Sequence, residues 1–105
     1  WRIEAVRLGV FTENEAYDND FIVTREQFVN MLMSAYEKRN GKYNLDYDKK
    51  AFNDFEAIET AYVTPILGAK ELGLIYGDEN QEFHPKNTLT RAEAISIINR
   101  YNGLK

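Results

Sequence analysis

Ala69-Lys70-Glu71-Leu72-Gly73-Leu74, followed by a polar loop and then Leu89-Thr90-Arg91-Ala92-Glu93, decides the fold because its pattern occurs twice. Ala5-Val6-Arg7-Leu8-Gly9-Val10 repeats the first part, and Val23-Thr24-Arg25 repeats the second after a shorter loop. A periodic run that halts at Gly ends a helix, since Gly enters the left-handed region without steric cost. Gly9 and Gly73 are those stops. Thr24 with Gln27, and Thr90 with Glu93, form S/T-x-x-E/Q capping boxes that satisfy free backbone donors and so begin new helices. Val23 and Phe28 add a hydrophobic staple to the first. Apolar residues then return at matching offsets: Phe28, Met31, Leu32 and Ala35 against Ala94, Ile97, Ile98 and Tyr101. That is helical spacing. The expectation is an all-α fold in which two helix–loop–helix copies pack into a small bundle, with its two longest helices starting at Thr24 and Thr90.

The first copy spans residues 1–40 and the second 51–105. The Gly-, Asn- and Asp-containing stretch from Lys38 to Lys50 lacks helical period and reads as a linker, with 41–50 as the part that falls between the two copies. A chain of 105 residues supports one core more readily than two, so both copies are expected to share one. The loops Glu13 to Phe21 and Gly77 to Thr88 are rich in Asp, Asn and Glu, and each carries an aromatic seven residues before its Thr, Tyr17 and Phe83, expected as buried pegs. In the second copy Asp54 can cap a helix, and apolar residues from Phe55 to Leu72 keep helical spacing. Pro65 predicts a break near Thr64, giving a short helix and then a longer one.

Hydrophobic residues at 44% and charged residues at 29% make an ordinary globular balance. A net charge of −4 without a Lys/Arg cluster leaves nucleic acid without its electrostatic footprint. No cysteine is present, which removes disulfides, thiolate metal sites and a thiol nucleophile. No apolar run approaches the roughly 20 residues of a membrane-spanning helix. The chain opens at Trp1 without an initiator Met and is read as a piece or a processed product.

The second copy carries Phe52-Asn53-Asp54, Leu72-Gly73-Leu74, Gly77-Asp78, Phe83-His84-Pro85 and Leu89-Thr90-Arg91-Ala92-Glu93 in order. It resembles the S-layer homology family, whose Phe-x-Asp opening, Leu-Gly-hydrophobic helix end, Phe-x-Pro loop and Thr-Arg-Ala-Glu signature these are. The first copy is degenerate: Thr24-Arg25-Glu26-Gln27 stands for the signature, and the loop lacks the Gly and Pro counterparts. The resemblance implies a secreted, non-catalytic module at the bacterial cell surface, cell wall or S-layer that tethers a larger protein by binding secondary cell-wall polysaccharide, often pyruvylated. It also implies three motifs around a pseudo-threefold axis, so two copies call for a homo-oligomer or a third motif from a longer chain. The alternative is a protein–protein interaction or oligomerisation module on the same fold without glycan binding.

Thr90 and Glu93 are explained by capping, whereas Arg91 and Arg25 sit at the first helical position, where the dipole disfavours a cation. An arginine beside free helix N–H groups makes an anion pocket that a carboxylate can enter with bidentate contact. The ordinary alternative for both is a salt bridge to a loop carboxylate or a stem packed over an aromatic. The resemblance adds Gly77, with Asp78 beside it, as a glycan contact, so the candidate glycan-binding set is Arg91, Arg25, Gly77, Asp78, Thr90 and Glu93. His84, the lone histidine, reads as solvated or capping, and Tyr62 and Tyr76 fall outside core spacing. The Asp-rich loops at Asp18, Asp46 and Asp78 invite a calcium reading that EF-hand spacing refuses: counted from Asp78, Phe83 and Leu89 stand where Gly and Glu belong. No nucleophile, base or paired acid forms a recognisable catalytic set, and no metal or cofactor is expected.

Overall fold

The two longest helices of the computed structural model begin where the Thr-led boxes put them. It describes residues 1–43 and 51–104, so most of the linker expected at 41–50 lies outside the described residues. Helix α1 spans Arg2–Arg7, α2 Glu13–Tyr17, α3 Arg25–Asn40, α4 Val63–Glu71 and α5 Arg91–Asn102. No strand occurs among the described residues, only one isolated bridge between Thr24 and Thr88. The fold is all-α.

Thr24 and Thr90 are the N-caps of α3 and α5, and both boxes close reciprocally: each hydroxyl accepts from the third helical N–H, and Gln27 or Glu93 accepts from the Thr N–H. Each cap of this type stabilises its helix by about 1 kcal/mol. Gly9 and Gly73 sit at φ +81° and +77°. Val10 N donates to Ala5 O at 2.8 Å and Leu74 N to Ala69 O at 2.9 Å, so α1 and α4 end in the same wrapped turn.

Seven of the eight offset-matched residues are buried, and Met31 is partly so. They join Phe52, Ile58, Ile66, Leu74 and Phe83 in a cluster that draws on both copies, with α3 packed against α4. A radius of gyration of 13.1 Å fits one body of this length, for which about 13 Å is usual. The first N–H groups of α3 have no partner within the helix. The second copy's loop supplies them: Arg25 N donates to Asn87 O at 2.9 Å and Glu26 N to Pro85 O at 3.1 Å. Beneath that joint the buried Glu26 carboxylate accepts from Lys86 Nζ at 2.5 Å and from Glu59 N at 3.2 Å.

Six local expectations are corrected. Pro65 does not break a helix near Thr64; it lies in the first turn of α4, where a missing N–H leaves no bond unmade. The preceding short helix is instead two 3-10 turns, Phe55–Ala57 and Thr60–Tyr62. Asp54 makes no cap; its carboxylate serves the distant loop described below. Tyr17 is 73% exposed rather than a peg, while Phe11 and Phe21 meet edge to face at 5.2 Å on that side. The first loop also contains α2, capped by Thr12 with Glu15, a box identical in kind to the other two. Residues Lys38 to Asn40 belong to α3 rather than to the linker.

Candidate functional site

The loop after α4 is built almost entirely by its own polar side chains. Asp78 Oδ1 accepts from Asn80 N at 2.8 Å and Glu82 N at 3.0 Å, and Oδ2 meets His84 Nε2 at 2.6 Å. Asp54, from the start of the copy, accepts from Phe83 N at 2.8 Å and His84 N at 2.7 Å. Phe52, two residues earlier, packs on Phe83 with ring centres 5.3 Å apart. The Phe-x-Asp and Phe-x-Pro segments are therefore the two halves of one clamp. Gly77 has a steric reason of its own: a Cβ there would lie 3.0 Å from the Gln81 backbone.

Charge in the loop is balanced locally. The Glu82 N–H, and after it the His84 imidazole, hold the Asp78 carboxyl below its ordinary range, and the bond to Asp78 raises His84 above its ordinary 6.5. Asp78, Glu82 and His84 place three potential metal-ligand atoms within 4.8 Å of one another, but two of these are already engaged in the Asp78–His84 bond.

Beside this loop, between the copies, lies a cavity of about 310 Å³. Arg25 of α3 forms one wall, and the second copy forms the rest, with Tyr76, Gly77, Glu93, Ser96 and Arg100 beside apolar residues. Of the six residues singled out from sequence, Arg25, Gly77 and Glu93 line it, whereas Arg91, Thr90 and Asp78 do not. Arg91 is exposed at the start of α5. Arg25 pairs with Glu93 Oε2 and stands 5.5 Å over the Phe83 ring, the ordinary alternative for this arginine. Its Nε is buried and finds no hydrogen-bond partner among the described residues. Glu93 serves twice, since Oε1 also accepts from Thr90 N.

Arg100 and Ser96 were missed from sequence. A cation in the last turn of a helix is ordinary dipole complementation and carried no signal of its own. In the structure the Arg100 guanidinium lies 4.8 Å over the Tyr76 ring and donates to Leu74 O at 3.2 Å. Tyr76 is 56% exposed; Tyr62, the other aromatic outside core spacing, packs against the core.

Residues 51–95 match the family model of the S-layer homology domain. The chain is similar to the exoglucanase XynX of Acetivibrio thermocellus, 34% identical over 72% of this chain and 7% of that protein. It is also similar to an amylopullulanase of Thermoanaerobacterium thermosulfurigenes, 35% identical over 79% of this chain and 4% of that one. An endoglucanase of Bacillus sp. strain KSM-635 is 30% identical over 86% of this chain and 9% of its own length, a span too long to fit within residues 51–105. The chain thus spans less than a tenth of each of these relatives. No solved structure matches it significantly. On this match, residues 51–95 of the chain belong to the S-layer homology domain family.

Proposed function

We propose that this chain is a non-catalytic anchoring module that holds a larger protein on the bacterial cell surface by binding secondary cell-wall polysaccharide, with the acidic, pyruvylated form preferred. The family match supports the anchoring role, and the three relatives, all named as polysaccharide-degrading enzymes, are long proteins of which this chain resembles a small part. The observation that carries the glycan reading is the cavity between the copies. On a chain of net charge −4 it presents two guanidinium groups, one exposed tyrosine and a serine hydroxyl. Guanidinium groups suit carboxylates, and aromatic faces suit the apolar side of a sugar ring. Arg25, Gly77 and Glu93 would then shape the site, with Arg91, Thr90 and Asp78 around it. The anchored protein reaches the surface by secretion, and a second copy or a third motif completes the bundle.

Cosedimentation with purified wall polysaccharide, before and after removal of pyruvate, tests this. Expected is retention that falls as salt rises and falls again on depyruvylation. Absence of retention together with self-association in light scattering would sink the glycan reading in favour of an oligomerisation module.

A further inference from the structure

Asp78, Glu82 and His84 bring together donor atoms of two chemical kinds, carboxylate oxygen and imidazole nitrogen, all within 4.8 Å of one another. Each is held by bonds that form with the loop itself. Asp78 Oδ1 is taken up by the Asn80 and Glu82 N–H groups, which leaves Oδ2 turned to His84. The His84 backbone is fixed by Asp54, from the start of the copy, which accepts from its N–H at 2.7 Å. Glu82 has no cationic partner among the described residues except the imidazole at 4.0 Å. Lys86, the nearest lysine in the sequence, is committed elsewhere, to Glu26 and Glu59.

We propose that Asp78, Glu82 and His84 form a site for one divalent metal ion of the zinc class, bound through Asp78 Oδ2, a Glu82 carboxylate oxygen and His84 Nε2. Ligands roughly 2 Å from a zinc ion stand about 3.3 Å apart at tetrahedral angles. The separations bracket that value: Nε2 lies 2.6 Å from Asp78 Oδ2 and 4.0 Å from Glu82 Oε1. The Asp78–His84 hydrogen bond is no obstacle. The ion takes the place of the hydrogen between the two groups, which leaves to solvent as a proton, and the imidazole then binds as a neutral ligand. Two carboxylates neutralise the ion's two charges, and three protein ligands leave a fourth position for water. An imidazole donor favours zinc and its neighbours over calcium and magnesium, which call for oxygen ligands. The first copy cannot build the same site, because its loop has no histidine.

The site does not depend on the glycan reading, and the probe is zinc chloride alone. Protein stripped with a chelator is titrated with it at fixed pH, by calorimetry and by NMR of the imidazole, which belongs to the chain's one histidine. Wild type is compared with His84→Asn and with Glu82→Gln, each checked for an unchanged circular dichroism spectrum. Glu82→Gln keeps the test open if His84→Asn fails to fold, because it leaves the Asp78–His84 bond in place. Expected are one-to-one saturable binding, a saturable shift of the imidazole resonances, a rise in melting temperature with zinc, and an affinity loss of roughly tenfold or more in either variant. Calcium chloride at the same concentrations should move neither the imidazole resonances nor the melting temperature. Absence of saturable zinc binding, an imidazole that does not respond, equal affinity in wild type and Glu82→Gln, or calcium binding as tight as zinc overturns the proposal.

Discussion

Asp54, Asp78 and His84 show how single polar side chains set a loop that would otherwise have no reason to hold one shape. The two carboxylates take four backbone N–H groups between them, and His84, at φ +58°, closes the turn onto Asp78. His84 also faces Glu82 at 4.0 Å and feels the field of Asp54, so Asp78, Glu82 and Asp54 all favour its protonated form. Its pKa is raised in the folded chain, chiefly by the bond to Asp78. The stabilisation it lends is therefore complete below the ordinary imidazole value of 6.5 and is lost as pH rises through the raised value. Asp78 works in the other direction: its lowered pKa lends stability above the ordinary 3.8 that disappears as pH falls. Because the chain has one histidine, a single imidazole resonance reports the first effect. We expect it to titrate above 6.5 by NMR. His84→Asn, which tolerates positive φ, should flatten the dependence of the melting temperature on pH between neutral and mildly alkaline. An imidazole titrating at or below 6.5 would mean that the pair with Asp78 does not form in solution.

At the scale of elements, α3 and α5 are the same device used twice, a reciprocal cap followed by one buried stripe. Leu32 and Ile98 occupy the same offset from Thr24 and Thr90 and are 0% and 3% exposed. Truncating either removes buried methyl groups and leaves a void that the neighbouring helices fill only in part. Leu32→Ala and Ile98→Ala should each cost roughly 2 to 5 kcal/mol, measured by urea denaturation. Midpoints within experimental error of wild type would show that the stripes do not face the core in solution. The elements differ at their N-termini. Those of α3 are met by Asn87 and Pro85, whereas Arg91 and Ala92, the matching residues of α5, are exposed.

Across the whole molecule the copies are joined by a buried charge as well as by apolar packing. Glu26 is 2% exposed, and Lys86 of the second copy, with the Glu59 N–H, is its compensation. The position is occupied by Ala92 in the second copy, so this joint belongs to the first copy alone. Removing one partner of a buried pair leaves an uncompensated charge and is more harmful than replacing both. Lys86→Met should lower the melting temperature at neutral pH, and pairing it with Glu26→Gln should restore part of the loss. A Lys86→Met variant that melts with wild type would show that water reaches Glu26.

The repeated stops at Gly9 and Gly73, the Thr-led boxes and the matching apolar offsets were readable because each depends on residues within a few positions of one another, where backbone geometry and local hydrogen bonds suffice. They determined an all-α fold, its two longest helices and the family. Pro65 misled because its effect depends on where the helix begins, which packing against α3 settles. Tyr17 misled because an aromatic in a loop is a peg only if a core lies beneath it. The site was half readable: Arg25 and Glu93 belong to the repeated Thr-led boxes and Gly77 to the loop pattern of the second copy, while Arg100 and Ser96 carry no motif and become a wall only when α5 lies beside Arg25. Which arginine keeps its charge free is a matter of which carboxylate lies within reach. That distance exists only in the folded chain, because Arg25 and Glu93 are brought together by the joining of the two copies.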